Sequence, residues 1–85
     1  MATSIIPLAM VFPDKKVRIV FLNAGRRLEA HLLDMGLKVG SEIEVIKQGS
    51  PGPCLVAVKE TRIAIGYGMA QKIMVSMDGT ERDKN

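Results

Sequence analysis

The chain has 85 residues, which is room for one small domain and too little for a catalytic domain joined to a regulatory one. Its composition, 47% hydrophobic and 25% charged, is typical of a folded globular domain and excludes a disordered chain. The net charge of +3 is spread along the sequence, without the basic stripe and interleaved aromatics of a nucleic-acid-binding protein, so no nucleic-acid partner is expected.

The start of the chain and its cysteine content indicate a cytoplasmic protein. The single Cys54 cannot form an internal disulfide, and residues 1–4 lack the basic leader of a signal peptide. The longest apolar run, Ile5–Phe12, is interrupted by Pro7 and is far shorter than the roughly 20 residues of a membrane-spanning helix. It predicts one helical turn or an edge strand that caps the core, and any contact with a membrane is expected through a partner.

The first strand is predicted for Lys16–Leu22, where apolar residues recur at every second position. One of its faces is expected to carry Val17, Ile19 and Phe21. After Asn23-Ala24-Gly25 the period changes, and apolar residues at i, i+4 and i+7 predict a short amphipathic helix over Arg26–Met35. The residues of this helical face are Leu28, Leu32 and Met35.

Gly36 is expected to end this helix in a left-handed conformation, with Leu37 packing back onto the last turn. Four further short strands are then predicted: Glu42–Lys47, Cys54–Val58, Arg62–Ile65 and Ile73–Met77. The second of these is too apolar to alternate strongly and is expected to be central, and Met69–Lys72 is expected to form a single helical turn.

The fold class is therefore mainly β: a small five-stranded barrel with one short amphipathic helix between the first two strands. Strands this short usually curl into a barrel because closure covers their exposed edges. Residues 1–77 are expected to form one domain, and residues 78–85, which are polar, a disordered C-terminal tail.

Catalytic and metal-binding patterns are missing from the sequence. One His and one Cys, on a predicted helix and a predicted strand, do not make a nucleophile with its base, so an enzyme is not expected. His31, Cys54 and scattered carboxylates show no metal-ligand spacing, although a metal that bridges two copies through His31 or Cys54 stays open. Gly66-Tyr67-Gly68 lacks the third glycine of a dinucleotide-binding loop, because residue 71 is Gln. No cofactor is expected.

A family resemblance is carried by short segments in a fixed order between Pro7 and Val75. The most specific is the helix end Leu32-Leu33-Asp34-Met35-Gly36-Leu37-Lys38-Val39-Gly40, followed by the strand Ser41-Glu42-Ile43-Glu44-Val45. The others include Val17-Arg18-Ile19-Val20, Gly25-Arg26-Arg27-Leu28, Pro51-Gly52-Pro53 and Ala70-Gln71-Lys72-Ile73-Met74-Val75. With these segments the chain resembles the FeoA (ferrous iron transport protein A) family. It departs from the family pattern at Asp14, often Gly, and at His31, commonly Arg.

The resemblance implies an SH3-like barrel that is not an enzyme and that acts in the cytoplasm with FeoB, the membrane GTPase transporter of ferrous iron. Arg26, Arg27 and His31 at the exposed helix start, and Tyr67 in the loop after the fourth strand, are the candidate contacts, since Arg and Tyr are enriched at interfaces. The alternative for these side chains is that they are simply solvated.

Two further functions stay open. The C-terminal barrel of metal-dependent DNA-binding repressors resembles FeoA in fold, so the alternative is a stand-alone SH3-like regulatory domain, although the sequence has no helix-turn-helix segment. An RNA-binding barrel would need stacking aromatics on a basic face, and only Tyr67 is suitably placed. A homodimer is possible, since short strands leave edges that can pair between two copies.

Overall fold

The computed structural model describes residues 4–49 and 52–77. These residues form six strands, two α-helices and one 3-10 turn. In chain order they are β1 (Ile5–Pro7), the 3-10 turn (Leu8–Met10), β2 (Lys15–Leu22), α1 (Arg26–Asp34), β3 (Glu42–Lys47), β4 (Cys54–Val58), β5 (Thr61–Ile65), α2 (Tyr67–Ala70) and β6 (Ile73–Ser76). The predicted tail, residues 78–85, lies outside the described residues.

All described strand pairs are antiparallel, in the order β1-β6-β2-β3-β4-β5. The mainly β class with one short helix after the first long strand is confirmed. The sheet of the described residues has six strands and not the predicted five, because the opening apolar segment forms an edge strand that pairs with β6. The same segment continues into one 3-10 helical turn, so it forms both of the structures predicted as alternatives for it. Within the described residues β1 and β5 form the two edges of the sheet and do not pair with each other.

The core is aliphatic, as the scarcity of aromatic residues predicted. It is lined by side chains from every strand except β1, together with one residue each from α1, α2 and the 3-10 turn. Among its fully buried members are Leu8, Ile19, Leu32, Leu37, Ile43, Val45, Val56, Ile65, Ile73 and Val75. Burial of this apolar surface, about 25 cal/mol per Å², is the main force that holds the sheet and α1 together.

β2 does not keep one register along its length. Its pairing with β6 shifts between Ile19 and Phe21, which marks a β-bulge. After the extra residue the alternation reverses, so Leu22 packs against the core and Phe21 is 54% exposed. The prediction that Phe21 shares the inner face with Val17 and Ile19 is therefore wrong, because strict period two holds only in a strand without a bulge.

α1 ends as the sequence predicted. Leu32 is fully buried, and Leu28 and Met35 pack against the core from the same face. Gly36 has φ +90°, and its amide donates to the carbonyl of Leu33 (2.9 Å). The amide of Leu37 donates to the carbonyl of Leu32 (2.8 Å). This is the Schellman pattern, which satisfies the last carbonyls of the helix and sends Leu37 back into the core.

β4 alternates more strongly than its apolar sequence suggested. Cys54, Val56 and Val58 are buried, whereas Leu55 and Ala57 are only half-buried. β4 lies between β3 and β5 and is therefore an inner strand of the sheet, next to an edge. The apolar character of both faces had hidden this alternation in the sequence.

Candidate partner-binding surface

A shallow groove with an apolar floor lies between α1, the end of β2 and the loop after α1. Its lining residues are Leu22, Arg26, Glu29, Ala30, Leu33, Lys38 and Val39. Two large apolar side chains are well exposed here, Leu33 at 52% and Val39 at 55%. We call this set of residues the helix-loop surface. Exposed apolar side chains next to charged ones are the composition of a protein-binding site.

The helix period and the helix end together build this surface. Arg26, Ala30 and Leu33 stand at i, i+4 and i+7, so they share one exposed face of α1. The turn at Gly36 then folds the chain back, which brings Lys38 and Val39 beside Leu33. The groove therefore depends on the same left-handed residue that ends the helix.

Hydrogen bonds fix the loop after α1 to the sheet. The amide of Gly40, a residue with φ +97°, donates to the carbonyl of Ile19 (2.7 Å), and Nη1 of Arg18 donates to the carbonyl of Gly40 (3.0 Å). The amide of Lys38 donates to Oγ of Ser41 (3.2 Å), and the amide of Ser41 donates to the carbonyl of Lys38 (2.9 Å). The loop is thus held in one conformation before any partner binds.

A second shallow groove continues from the first across the C-terminal end of α1. Its lining residues are Leu33, Gly36, Lys38, Ser41, Glu42, Val58 and Lys59. Leu33 and Lys38 line both grooves and so stand at the junction between them. The charges around this junction are of both signs, which suits a protein partner better than a polyanion.

The four predicted contact residues do not form one cluster. Arg26 lies on the helix-loop surface. Arg27 and His31 are exposed, but their i, i+4 spacing puts them together on a different flank of α1. Tyr67 is the first residue of α2 and not part of a loop, since the chain turns into a helix directly after Gly66; it is 45% exposed, and α2 packs against the 3-10 turn.

Sequence reasoning missed the two most exposed apolar members of the helix-loop surface, Leu33 and Val39. A signal for Leu33 was present, because it lies outside the helical face formed by Leu28, Leu32 and Met35. An apolar residue off the core face of an amphipathic helix is a candidate for contact with a partner. Val39 gave no such signal, because its exposure is set by the loop hydrogen bonds.

Cys54 is unsuited to metal binding between copies. It is 1% exposed, so its sulfur is out of reach of a second copy, and the same burial raises the pKa of its thiol. The open possibility of a Cys54 bridge is therefore excluded, whereas His31 is exposed. Within residues 4–49 and 52–77, no group of three or more His, Cys, Asp and Glu side chains could hold a metal ion.

The helices of the described part of the chain are all too short or too polar to cross a membrane.

Comparison with known proteins gives matches of two kinds. The profile of the FeoA domain matches residues 6–77. A protein of Methanocaldococcus jannaschii named "Putative Fe(2+) transport protein A" is 38% identical over 69 residues, which are 81% of this chain and 83% of that protein. The crystal structure of an iron uptake regulatory protein, FeoA, superposes with a TM-score of 0.81 at 33% identity and covers 86% of this chain and 97% of its own.

The second kind is a fold likeness. A manganese-dependent transcriptional repressor superposes with a TM-score of 0.80 at 16% identity, and the match covers 91% of this chain and 44% of the repressor. At this identity the likeness shows a shared fold alone. Together with the FeoA crystal structure it confirms the SH3-like fold that the resemblance implied, here with a sheet whose two edges do not pair.

The profile match extends over most of the chain, and a relative above 30% identity covers four-fifths of it. Within the described residues, the segments of the resemblance run from β2 through α1 and its Schellman turn to the later strands and α2, so they are also the segments that define the fold. This chain belongs to the FeoA family.

Proposed function

We propose that this chain is a cytoplasmic, non-catalytic accessory protein of ferrous iron uptake, which binds the cytosolic part of the membrane GTPase transporter FeoB and modulates its activity. The observation that carries the proposal is membership of the FeoA family over residues 6–77. A relative named for Fe(2+) transport and another named for iron uptake regulation support it.

The helix-loop surface is the proposed contact region. Leu33 and Val39 together give an exposed apolar centre, and Arg26 and Lys38 stand at its rim. An apolar centre with a charged rim is the usual arrangement of an interface whose binding energy is concentrated in a few side chains. The loop hydrogen bonds reduce the entropy that binding would otherwise cost.

The test is a titration of isotope-labelled chain with the cytosolic GTPase domain of the matching transporter, with and without guanine nucleotide, followed by backbone amide shifts. Shifts concentrated at residues 26–39 are the expected result. Shifts around Tyr67 instead would move the contact to α2. Unchanged amide shifts both with and without guanine nucleotide would exclude direct binding to that domain.

Single variants then separate the two flanks of α1. We expect Leu33→Ser to weaken binding about tenfold or more, because removing a central apolar anchor costs at least about 1.4 kcal/mol. Arg27→Ala and His31→Ala on the other flank are expected to change binding less than about threefold. Lys47→Ala serves as the control, because Lys47 is exposed, lies at the opposite end of β3 from Glu42 and lines neither groove. If Arg27→Ala and not Leu33→Ser weakens binding, the contact lies on the Arg27–His31 flank.

The second candidate is a stand-alone SH3-like regulatory domain of the kind that metal-dependent repressors carry. The observation in its favour is the likeness to the manganese-dependent repressor at a TM-score of 0.80. Three strands separate α1 from α2, so the described residues do not include two successive helices of a helix-turn-helix, and DNA reading would need another chain. This candidate would be favoured if the backbone amide shifts change on adding a metal-dependent repressor and do not change on adding the transporter domain.

A further inference from the structure

β5 is an edge strand with little of the usual protection of an edge. It pairs with β4 on one side, and among residues 4–49 and 52–77 no strand lies on its other side. Edge strands expose unpaired N–H and C=O groups, which natural proteins guard with very short length, proline, charged side chains or a bulge. The opposite edge, β1, is guarded in this way, since it has three residues and contains Pro7.

Within Thr61–Ile65 there is no proline and no bulge, and a single charged side chain, that of Arg62, guards the edge. The strand has five residues, its ladder with β4 runs without a register shift, and Arg62 is its one charged residue. Ala64 is exposed and small, so its side chain leaves space for another backbone to approach. Such an edge favours a nearly neutral, apolar strand as its neighbour, and β5 itself has that composition.

The β4–β5 hairpin determines which backbone groups point outward. Val58 and Thr61 flank the two-residue loop Lys59-Glu60 and therefore form a hydrogen-bonded pair. Because hydrogen-bonded and non-hydrogen-bonded pairs alternate, the N–H and C=O groups of Thr61, Ile63 and Ile65 bond to β4. The N–H and C=O groups of Arg62 and Ala64 consequently face away from the sheet.

We propose that β5 pairs antiparallel with β5 of a second copy of this chain, with Arg62 of each copy opposite Ala64 of the other. In this register both outward-facing residues of each strand can exchange their N–H···O bonds. The half-buried Ile63 meets its own counterpart on the two-fold axis and extends the apolar contact. The register with Arg62 opposite Arg62 places like charges directly across the strands and is disfavoured.

The contact is small, because one edge strand buries far less surface than the roughly 1,600 Å² of a standard interface, and the dimer is accordingly weak and dependent on concentration. The proposal involves only this chain, so it stands or falls separately from the proposed binding to the transporter. The measurement is sedimentation velocity of the full chain, from about 10 µM to about 1 mM, a range suited to weak contacts. We expect the mass to rise from 9.3 kDa toward twice that value.

Charge variants test the register. Ala64→Lys sets a lysine opposite Arg62 of the second copy, twice in each dimer, and we expect the Kd to rise about tenfold. Adding Arg62→Glu converts both repulsive pairs into attractive ones and is expected to restore the dimer. Ala64→Thr, which keeps the backbone donor and adds no charge, is the matched control and should dimerise like the unaltered chain.

A backbone variant tests the edge itself. Ala64→Pro removes an N–H that does not bond to β4, so the variant should keep its circular dichroism spectrum and lose the dimer. Amide exchange at Arg62 and Ala64 should slow as concentration rises. A monomer up to about 1 mM, or a dimer that resists both Ala64→Pro and Ala64→Lys, would overturn the proposal. Should Ala64→Pro fail to fold, the charge pair and its rescue decide the question alone.

Discussion

Gly36 offers a sharp test of how the end of α1 is held. At φ +90° an L-residue with a Cβ is strained, whereas a Cβ built at this position meets no atom within 4 Å. The cost of Gly36→Ala is therefore conformational and not steric. The left-handed conformation costs an L-residue about 1–2 kcal/mol, and the lower entropy of the unfolded alanine chain offsets about half a kcal/mol of that. We expect a net loss of about 1 kcal/mol of unfolding free energy.

Gly68 in α2 is the matched control, because a Cβ there also meets nothing within 4 Å and its φ lies outside the left-handed region. Gly68→Ala should therefore stabilise the fold by up to about 0.5–1 kcal/mol. In a domain of this size 1 kcal/mol moves Tm by about 4–8 °C. Urea and thermal unfolding followed by circular dichroism measure both variants. Equal effects of the same sign would refute the assignment of a left-handed conformation to Gly36.

Three further outcomes follow from buried groups and one tight loop. Burial raises the pKa of the Cys54 thiol, so the unfolded chain releases this proton at a lower pH than the folded chain. The free energy of unfolding should therefore fall as pH rises above about 8.5, and a value that stays constant from about pH 7 to about pH 10 would contradict this. Nε2 of Gln48 donates to the carbonyls of Leu8 (2.9 Å) and Val11 (2.6 Å). Gln48→Glu, which cannot donate when ionised, should therefore cost about 1–3 kcal/mol in urea unfolding, and an unchanged free energy of unfolding would contradict this. At Gly49 a Cβ would lie 2.7 Å from a backbone oxygen, so Gly49→Ala should cost about 1–3 kcal/mol by the same assay, and a neutral result would mean that the loop adjusts freely.

The sequence predicted the features of the fold that depend on local periodicity. The face of α1 that carries Leu32, the left-handed Gly36 and the positions of the longer strands all follow from spacing and turn chemistry. It did not predict the exposure of Phe21, because a bulge depends on how β2 meets β6 and leaves no mark in the period of β2 alone. The pairing of Ile5–Pro7 with β6 was likewise hidden, since a three-residue strand has too few positions to show alternation.

The candidate site was predicted in part. Residue type and position identified Arg26 on what proved to be the helix-loop surface, but sequence could not group it with Val39, because only the folded loop brings the two together. Tyr67 was singled out for its type alone, and the structure places it on a separate element, α2. The titration with the transporter domain will show whether a partner contacts Arg26, Val39 or Tyr67.

The position of β6 has a consequence for synthesis of the chain on the ribosome. β6 lies between β1 and β2, with Ser76 opposite Ile5 on one side and Arg18 on the other, although both neighbours are translated long before it. The meander from β2 through β5 can form as soon as it emerges, because its pairings are between successive strands. β1 pairs with β6, so it cannot join the sheet until β6 has been synthesised and has paired with β2. The final residues of the domain therefore complete both the sheet and the core, and a nascent chain stalled before Ile73 would lack Ile73 and Val75 from its interior.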